Sequence, residues 1–147
     1  MPAYNSSMTT VVWDGESIAS DSRATAGGTV LAGKCQKIFR NKGAVYAVCG
    51  EVATAIAMKD WLIAGADPDD YPMFNADEYT VLMIKDRVGY VYAGERFPFE
   101  VSPPFAMGTG KEIALGALLA GADIQQAVEI ACQLDPESAA PVKVLKV

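Results

Sequence analysis

What chemistry this chain can do rests on hydroxyl, amine, carboxylate and thiol groups, because its 147 residues contain no histidine. That removes Ser-His-Asp and Cys-His catalysis and every metal site built on imidazole. A threonine, serine or cysteine can still act as nucleophile if its own α-amino group is free. Such an amine, with a pKa of about 8, is a competent base near neutral pH, whereas an amide nitrogen is not. The centre gains from a lysine whose positive charge favours the deprotonated hydroxyl, and from a carboxylate that holds the lysine charged and in place. The tetrahedral oxyanion needs backbone N–H donors, commonly where a glycine lets the chain approach closely.

Taken one at a time, the residues that could supply these parts have ordinary readings. Thr9-Thr10 opening a strand reflects β-propensity, with Thr10 turned to the opposite face and so the weaker nucleophile. Asp21-Ser22-Arg23 reads as a solvated turn, Lys37 as a surface lysine, Gly50 as a strand end and Asp135-Pro136 as a helix stop. Cys35, Cys49 and Cys132 form no CxxC pair and each sits in an apolar run, which fits buried thiols rather than a disulfide or metal site.

The elements that must position these residues follow from periodicity and turn chemistry. Thr9 to Trp13 is β-prone, Asp14-Gly15 is a hairpin signal, and Glu16 to Asp21 continues the chain as a second strand. Strand-like runs recur at Thr29 to Ala32, Lys37 to Phe39 and Ala44 to Cys49. Helical spacing begins at Val52 and runs to Ala64, with Val52, Ala55, Ile56, Leu62 and Ile63 on one face. Ala66 to Asp77 is an acidic, proline-containing loop. Tyr79 to Ile84 and Gly89 to Ala93 form a second hairpin, and a proline-rich passage from Pro98 leads to Gly108-Thr109-Gly110. Two helices follow. The first is marked by Ile113, Leu115, Leu118 and Leu119. The second is capped by Asp123 with Gln126 and turns Ile124, Ala127, Val128, Ala131 and Leu134 inward. Pro141 to Val147 is the last strand. Blocks of strands and helices that do not alternate one for one predict an α+β fold with antiparallel sheets between helix layers.

Composition sets the class. With 51% hydrophobic residues, the chain can bury one domain-sized core. Its 12 basic and 18 acidic residues give a net charge of -6 with no basic stripe, which argues against nucleic acid as a partner. Residues Met1 to Met8 lack the features of a secretory signal, and no apolar run reaches the roughly 18 to 20 residues of a membrane span. The reading is a cytoplasmic protein without membrane partners.

Read together, Thr9-Thr10-Val11-Val12, Asp21-Ser22-Arg23-Ala24-Thr25 and Lys37-Ile38 resemble the start of a proteasome β-type subunit. The likeness is greatest to the bacterial HslV-type peptidase and its smaller bacterial and phage relatives. The sixteen residues from Asp21 to Lys37 equal that family's spacing from aspartate to catalytic lysine. Val48-Cys49-Gly50 resembles its apolar run ending in the oxyanion glycine. Gly108-Thr109-Gly110 resembles its Gly-Ser-Gly turn, and Asp135-Pro136-Glu137-Ser138 its Asp-x-x-Ser pair. The resemblance runs from Thr9 to Val147.

What the resemblance implies is a four-layer αββα sandwich of the N-terminal nucleophile (Ntn) hydrolases and a threonine-type endopeptidase. Thr9 would be nucleophile and, through its freed amine, base; Lys37 would tune it and Asp21 would hold Lys37. The Gly50 N–H would serve the oxyanion, and Thr109, Asp135 and Ser138 would support the amine. Thr25 and Gly50 would pair with an extended polypeptide substrate, while Val48, Ala24 and Cys35 would line an apolar first pocket. Residues 1–8 would be a propeptide or N-terminal extension ahead of a domain over 9–147, with Met8 an alternative translation start. A homo-oligomeric ring and an ATP-dependent unfoldase are the implied partners, and no metal or organic cofactor is implied. The rival readings are a catalytically silent ring or assembly protein that keeps its extension, and a non-proteolytic amide hydrolase.

The chain departs from the family pattern at four places, the first being the N-terminus, where eight residues precede Thr9 and end in Met8 while family propeptides commonly end in glycine. Thr9 and Asp21 are twelve residues apart where the family usually has sixteen, an even-numbered loss that keeps the strands' in-out alternation. Ser138-Ala139-Ala140 stands for the usual Ser-Gly-Gly, and Thr109 for a serine.

Overall fold

In the computed structural model, which describes residues 9–23, 25–26, 29–30, 36–73 and 79–147, the first hairpin is as short as the sequence demands. It joins β1 (Val11–Trp13) to β2 (Ser17–Ser20). Asp14 Oδ1 accepts from the backbone N–H groups of Glu16 and Ser17 at 2.9 and 2.8 Å, and Gly15 adopts φ +105°, which glycine alone takes without strain. Val11 pairs with Ser20 and Trp13 with Ile18. The pairing extends one step further, where the Asp21 N–H donates to the Thr10 carbonyl at 3.1 Å.

A two-stranded ribbon of β3 (Thr25–Ala26) and β4 (Thr29–Val30) follows, then β5 (Ile38–Asn41) and β6 (Ala44–Gly50). Helix α1 (Val52–Ile63) and a 3-10 turn at Pro68–Asp70 lead to β7 (Tyr79–Lys85) and β8 (Val88–Tyr92). Next come β9 (Phe99–Val101), β10 (Phe105–Met107), α2 (Lys111–Leu119), α3 (Ile124–Leu134) and β11 (Lys143–Lys146). One sheet has the order β10-β1-β2-β11 and the other β5-β6-β7-β8-β9, with every pairing antiparallel.

The two sheets meet through Val11, Trp13 and Ile18 on one side and Ile38, Val45, Leu82, Ile84 and Val91 on the other. Trp13 packs so closely on Gly89 that a Cβ there would come within 2.6 Å of its ring. Ala55, Met58, Trp61 and Leu62 of α1 cover the outer face of the five-stranded sheet against Tyr46, Tyr79 and Val81. Ala114 of α2, with Ile124, Ala127, Val128 and Ala131 of α3, covers Val12 and Ala19 on the outer face of the four-stranded sheet. This is the expected four-layer αββα sandwich. Small side chains at the α3 contact let the helix sit close to the strands that end in the candidate site.

Several boundaries differ from the sequence reading. The proline-rich passage contains β9, an edge strand where prolines on either side cost no ladder bond. Ile56, Leu119 and Leu134 are 48%, 70% and 66% exposed rather than inward. The buried stripe of α3 ends at Ala131, so Leu134 in the last turn has outrun it. The capping box at Asp123 and Gln126 is present in both directions. Among the described residues, no helix is long and apolar enough to cross a membrane.

Candidate active site

Asp21 follows β2 directly and is fully buried. An ionised carboxylate there must be paired and hydrogen-bonded to be tolerable, and it is. Oδ1 accepts from Thr9 Oγ1 at 2.7 Å, the Thr10 N–H at 3.0 Å and Lys37 Nζ at 2.9 Å. Oδ2 accepts from the N–H groups of Arg23 and Ala139, both at 3.0 Å. The lysine is therefore buried, 5% exposed, and not the surface residue its local sequence suggests. Its carbonyl accepts from the Val48 N–H at 2.9 Å, which ties it to β6 two residues before Gly50. Gly50 ends β6 with φ +125°, a conformation that favours glycine.

A second carboxylate stands on the other side of the Thr9-Thr10 pair. Asp135, the C-cap of α3, receives Thr109 Oγ1 and Ser138 Oγ on Oδ2, each at 2.7 Å. Its Oδ1 accepts from the Glu137 N–H at 3.1 Å, and its carbonyl from the Ser138 N–H at 3.1 Å. Thr109 Oγ1 also lies 3.3 Å from the Thr9 carbonyl oxygen, which accepts from the Gly110 N–H at 3.2 Å. Ser138 Oγ reaches Thr10 Oγ1 at 2.7 Å. The two networks thus meet on consecutive residues.

Glycines flank Thr109 because nothing larger fits. A Cβ on Gly108, at φ +97°, would sit 2.2 Å from the Thr9 carbonyl oxygen, and one on Gly110 would sit 1.9 Å from Thr10 Oγ1. The segment after α3 is fastened to the end of β2 by Ser22 N–H on the Ala139 carbonyl (2.8 Å), Ser22 Oγ on the Pro141 carbonyl (2.6 Å) and Arg23 Nη1 on the Pro136 carbonyl (2.8 Å). Among the described residues, the non-glycine positions with positive φ are Lys42, Ala66, Met73, Asp86 and Arg87. Ala139 and Ala140 are not among them, so alanine fits where the family often has glycine.

The two thiols among the described residues, Cys49 and Cys132, are poor nucleophiles. Burial pushes Cys49 up to about 12, with Lys37 lowering it and Asp21 raising it as smaller influences. Burial likewise pushes Cys132 up to about 11.

The structure brings Thr9, Asp21 and Lys37 into one cluster and Thr109, Asp135 and Ser138 into a second that touches it. Val48 lies buried in β6, and Thr25 pairs with Val30 in the small ribbon. Ala24 and Cys35 lie outside the described residues. Sequence reasoning missed the structural parts of Thr10, Ser22, Arg23 and Ala139. Only the glycines around Thr109 hinted at a close approach.

No family model matches the chain, and no curated protein does. Solved structures do. BPH from Thiobacillus denitrificans is similar with a TM-score of 0.71 and 22% identity, over 95% of this chain and 96% of that one. Its structure in complex with epoxomicin gives a TM-score of 0.69 at 21% identity, over 95% and 97%. The HslV of Trypanosoma brucei gives 0.68 at 20%, over 95% and 99%. The fold is that of HslV and proteasome β-type proteins, complete from layer to layer.

Proposed function

We propose that the chain is a threonine-type endopeptidase that acts through Thr9 once residues 1–8 are removed. The observation that carries this reading is the convergence of Thr9 Oγ1 and Lys37 Nζ on Asp21 Oδ1 in a buried site. A strand-propensity threonine has no need of a buried lysine and carboxylate beside its hydroxyl. The similarity of fold to a BPH structure holding epoxomicin supports the same reading.

The chemistry follows from the parts. In the 147-residue chain Thr9 is 1% exposed and its nitrogen is an amide, so it has neither access nor a base. Removal of residues 1–8 supplies the base, as a free α-amine on Thr9. The Thr9 amine takes the hydroxyl proton as Oγ1 bonds to the substrate's carbonyl carbon, and the oxyanion is received by backbone N–H donors at Gly50. The amine's proton passes to the leaving nitrogen as the C–N bond breaks, which leaves an ester on Thr9. Water then adds to that ester, giving a proton to the amine, which returns it to Oγ1 as the C–Oγ1 bond breaks to release the acid and restore Thr9. Lys37 stabilises developing negative charge at Oγ1, Asp21 keeps Lys37 in place, and Thr109, Asp135 and Ser138 hold the amine side. Thr25 and Gly50 pair with the extended substrate, and Val48, Ala24 and Cys35 form an apolar first pocket. A homo-oligomeric ring in the cytoplasm, served by an ATP-dependent unfoldase, completes the reading.

The test is the intact mass of the untagged protein from its own gene, followed by hydrolysis of an apolar peptide panel by the parent and by Thr9→Ala. A mass beginning at Thr9, with hydrolysis lost in Thr9→Ala and assembly unchanged, supports the peptidase. A mass retaining residues 1–8 without hydrolysis assigns the chain to a catalytically silent assembly protein. Hydrolysis of small amides but not peptides overturns the peptidase in favour of a different amidase.

A further inference from the structure

Thr10 has no part in the chemistry above, yet its N–H, carbonyl and hydroxyl are all committed within the site. It is 0% exposed, and its hydroxyl engages Ser138 where that of Thr9 engages Asp21. Its N–H donates to Asp21 Oδ1 at 3.0 Å, and its carbonyl accepts from the Asp21 N–H at 3.1 Å. Its hydroxyl lies 2.7 Å from Ser138 Oγ, in a space that exists only because residue 110 has no Cβ.

Counting protons fixes the direction of that last bond. An ionised carboxylate only accepts, so Thr109 and Ser138 each commit their single hydroxyl proton to Asp135 Oδ2. Ser138 then has no proton left to give, and Thr10 must donate to Ser138 Oγ. The chain of donation runs Thr10 to Ser138 to Asp135, with Thr109 entering from the other side. One lone pair of Ser138 is filled by Thr10, which settles where the remaining acceptor capacity points.

We propose that Thr10 is a positioning residue that holds the Asp21–Lys37 and Asp135–Ser138–Thr109 networks in register, its amide gripping the first and its hydroxyl orienting the second. The catalytic consequence rests on the reading of Thr9 as nucleophile and base. Thr109, held by the same Asp135 Oδ2 that Ser138 binds, lies 3.3 Å from the Thr9 carbonyl oxygen, so losing the Thr10 hydroxyl changes the surroundings of the freed amine through Ser138, Asp135 and Thr109 without touching the substrate. The effect belongs to turnover and to the titration of that amine, not to substrate affinity.

The experiment compares Thr10→Val, which keeps the shape and loses the hydroxyl, with Thr10→Ser, which keeps the hydroxyl. Each is made in protein beginning at Thr9, with kcat and KM measured separately and the terminal amine titrated by 15N NMR after threonine labelling. Thr10→Val is expected to lower kcat roughly tenfold, the scale of one lost buried hydrogen bond, with KM within about twofold of the parent. Its amine titration moves by about half a unit or more, and Thr10→Ser recovers most of both. Should Thr10→Val not fold, Thr10→Ala is read the same way. A valine variant matching the parent in kcat and titration overturns the proposal, as does a serine variant that falls as far as valine. A parent without peptidase activity, whose amine titration still moves in Thr10→Val, sinks the Thr9 reading and leaves the positioning role standing.

Discussion

Thr9 and Lys37 direct their polar hydrogens at one atom, Oδ1 of Asp21, from 2.7 and 2.9 Å. That oxygen brings a hydroxyl and an ammonium together in a site closed to water, where charge is felt strongly. Asparagine in place of Asp21 keeps the size and a single acceptor, but turns an N–H₂ toward N–H donors that now meet a carboxylate. It also leaves the Lys37 ammonium without its carboxylate. Asp21→Asn is expected to cost about 3–5 kcal/mol in stability, as for one partner removed from a buried pair. It should also lower peptide hydrolysis roughly a hundredfold or more. Urea denaturation and steady-state kinetics on the processed protein check both; unchanged stability would mean that the carboxylate is not the ion-pair partner.

The glycines give an opposed pair of outcomes. Gly110→Ala drives a Cβ to within 1.9 Å of Thr10 Oγ1 and 3.1 Å of Asp135 Oδ2, and those atoms are fixed by their own hydrogen bonds. Overpacking of this kind costs about 1–3 kcal/mol or more, and here it also pushes the two networks apart. Gly116, inside α2 with nothing within 4 Å of its would-be Cβ, is expected to gain about 0.5–1 kcal/mol on change to alanine. Thermal melting of the two variants should therefore move in opposite directions, with hydrolysis lost only in Gly110→Ala.

The site was legible through the resemblance and not through its single residues: Asp21 and Lys37 read locally as a turn and a surface lysine, and only the fold returns the two ends of that sixteen-residue segment to one another. The Asp123 capping box was legible directly, being complete within one turn. The Thr10–Ser138 bond joins residues 128 apart, and nothing near either one announces it. Ala139 contributes a backbone N–H, which every non-proline residue carries, so its hold on Asp21 leaves no trace in residue type. Ile56 and Leu134 satisfied the helical spacing but lie off the buried faces, since periodicity fixes a face and not where its partner ends. The strand β9 was hidden by the prolines around it, which an edge position tolerates.

Cys49 makes stability fall in alkali. Its thiol titrates near 9.0 when unfolded and is pushed up to about 12 by burial in the fold. Between those values the unfolded chain has lost a proton that the folded chain keeps, so stability declines as pH rises through that window. Burial also raises Tyr46, Tyr79 and Tyr92, which adds to the same trend. The expected result is a denaturation midpoint that drops from pH 9 upward, with a shallower slope in Cys49→Ala even if that variant starts lower. Equal slopes in the two proteins would remove Cys49 from the account.

Arg23 bridges the two carboxylate networks from outside, as Thr10 does from within. Its N–H holds Asp21 Oδ2 at 3.0 Å while Nη1 donates to the Pro136 carbonyl at 2.8 Å, next to Asp135. The same guanidinium leaves Nε buried without a hydrogen-bond partner among the described residues. Exchange for methionine therefore loses one charge-assisted bond and at the same time relieves an unsatisfied buried donor, two effects of similar size and opposite sign. The stability of Arg23→Met is expected to stay within about 1 kcal/mol of the parent. Its effect should appear instead in the segment it fastens, where the Ala139 N–H exchanges with solvent faster and peptide turnover drops several-fold at constant KM. Hydrogen exchange at Ala139 is the deciding measurement, because it reads the fastening of the segment directly. Unchanged exchange with reduced turnover would assign Arg23 a contact with substrate rather than with the Asp135–Ser138 turn.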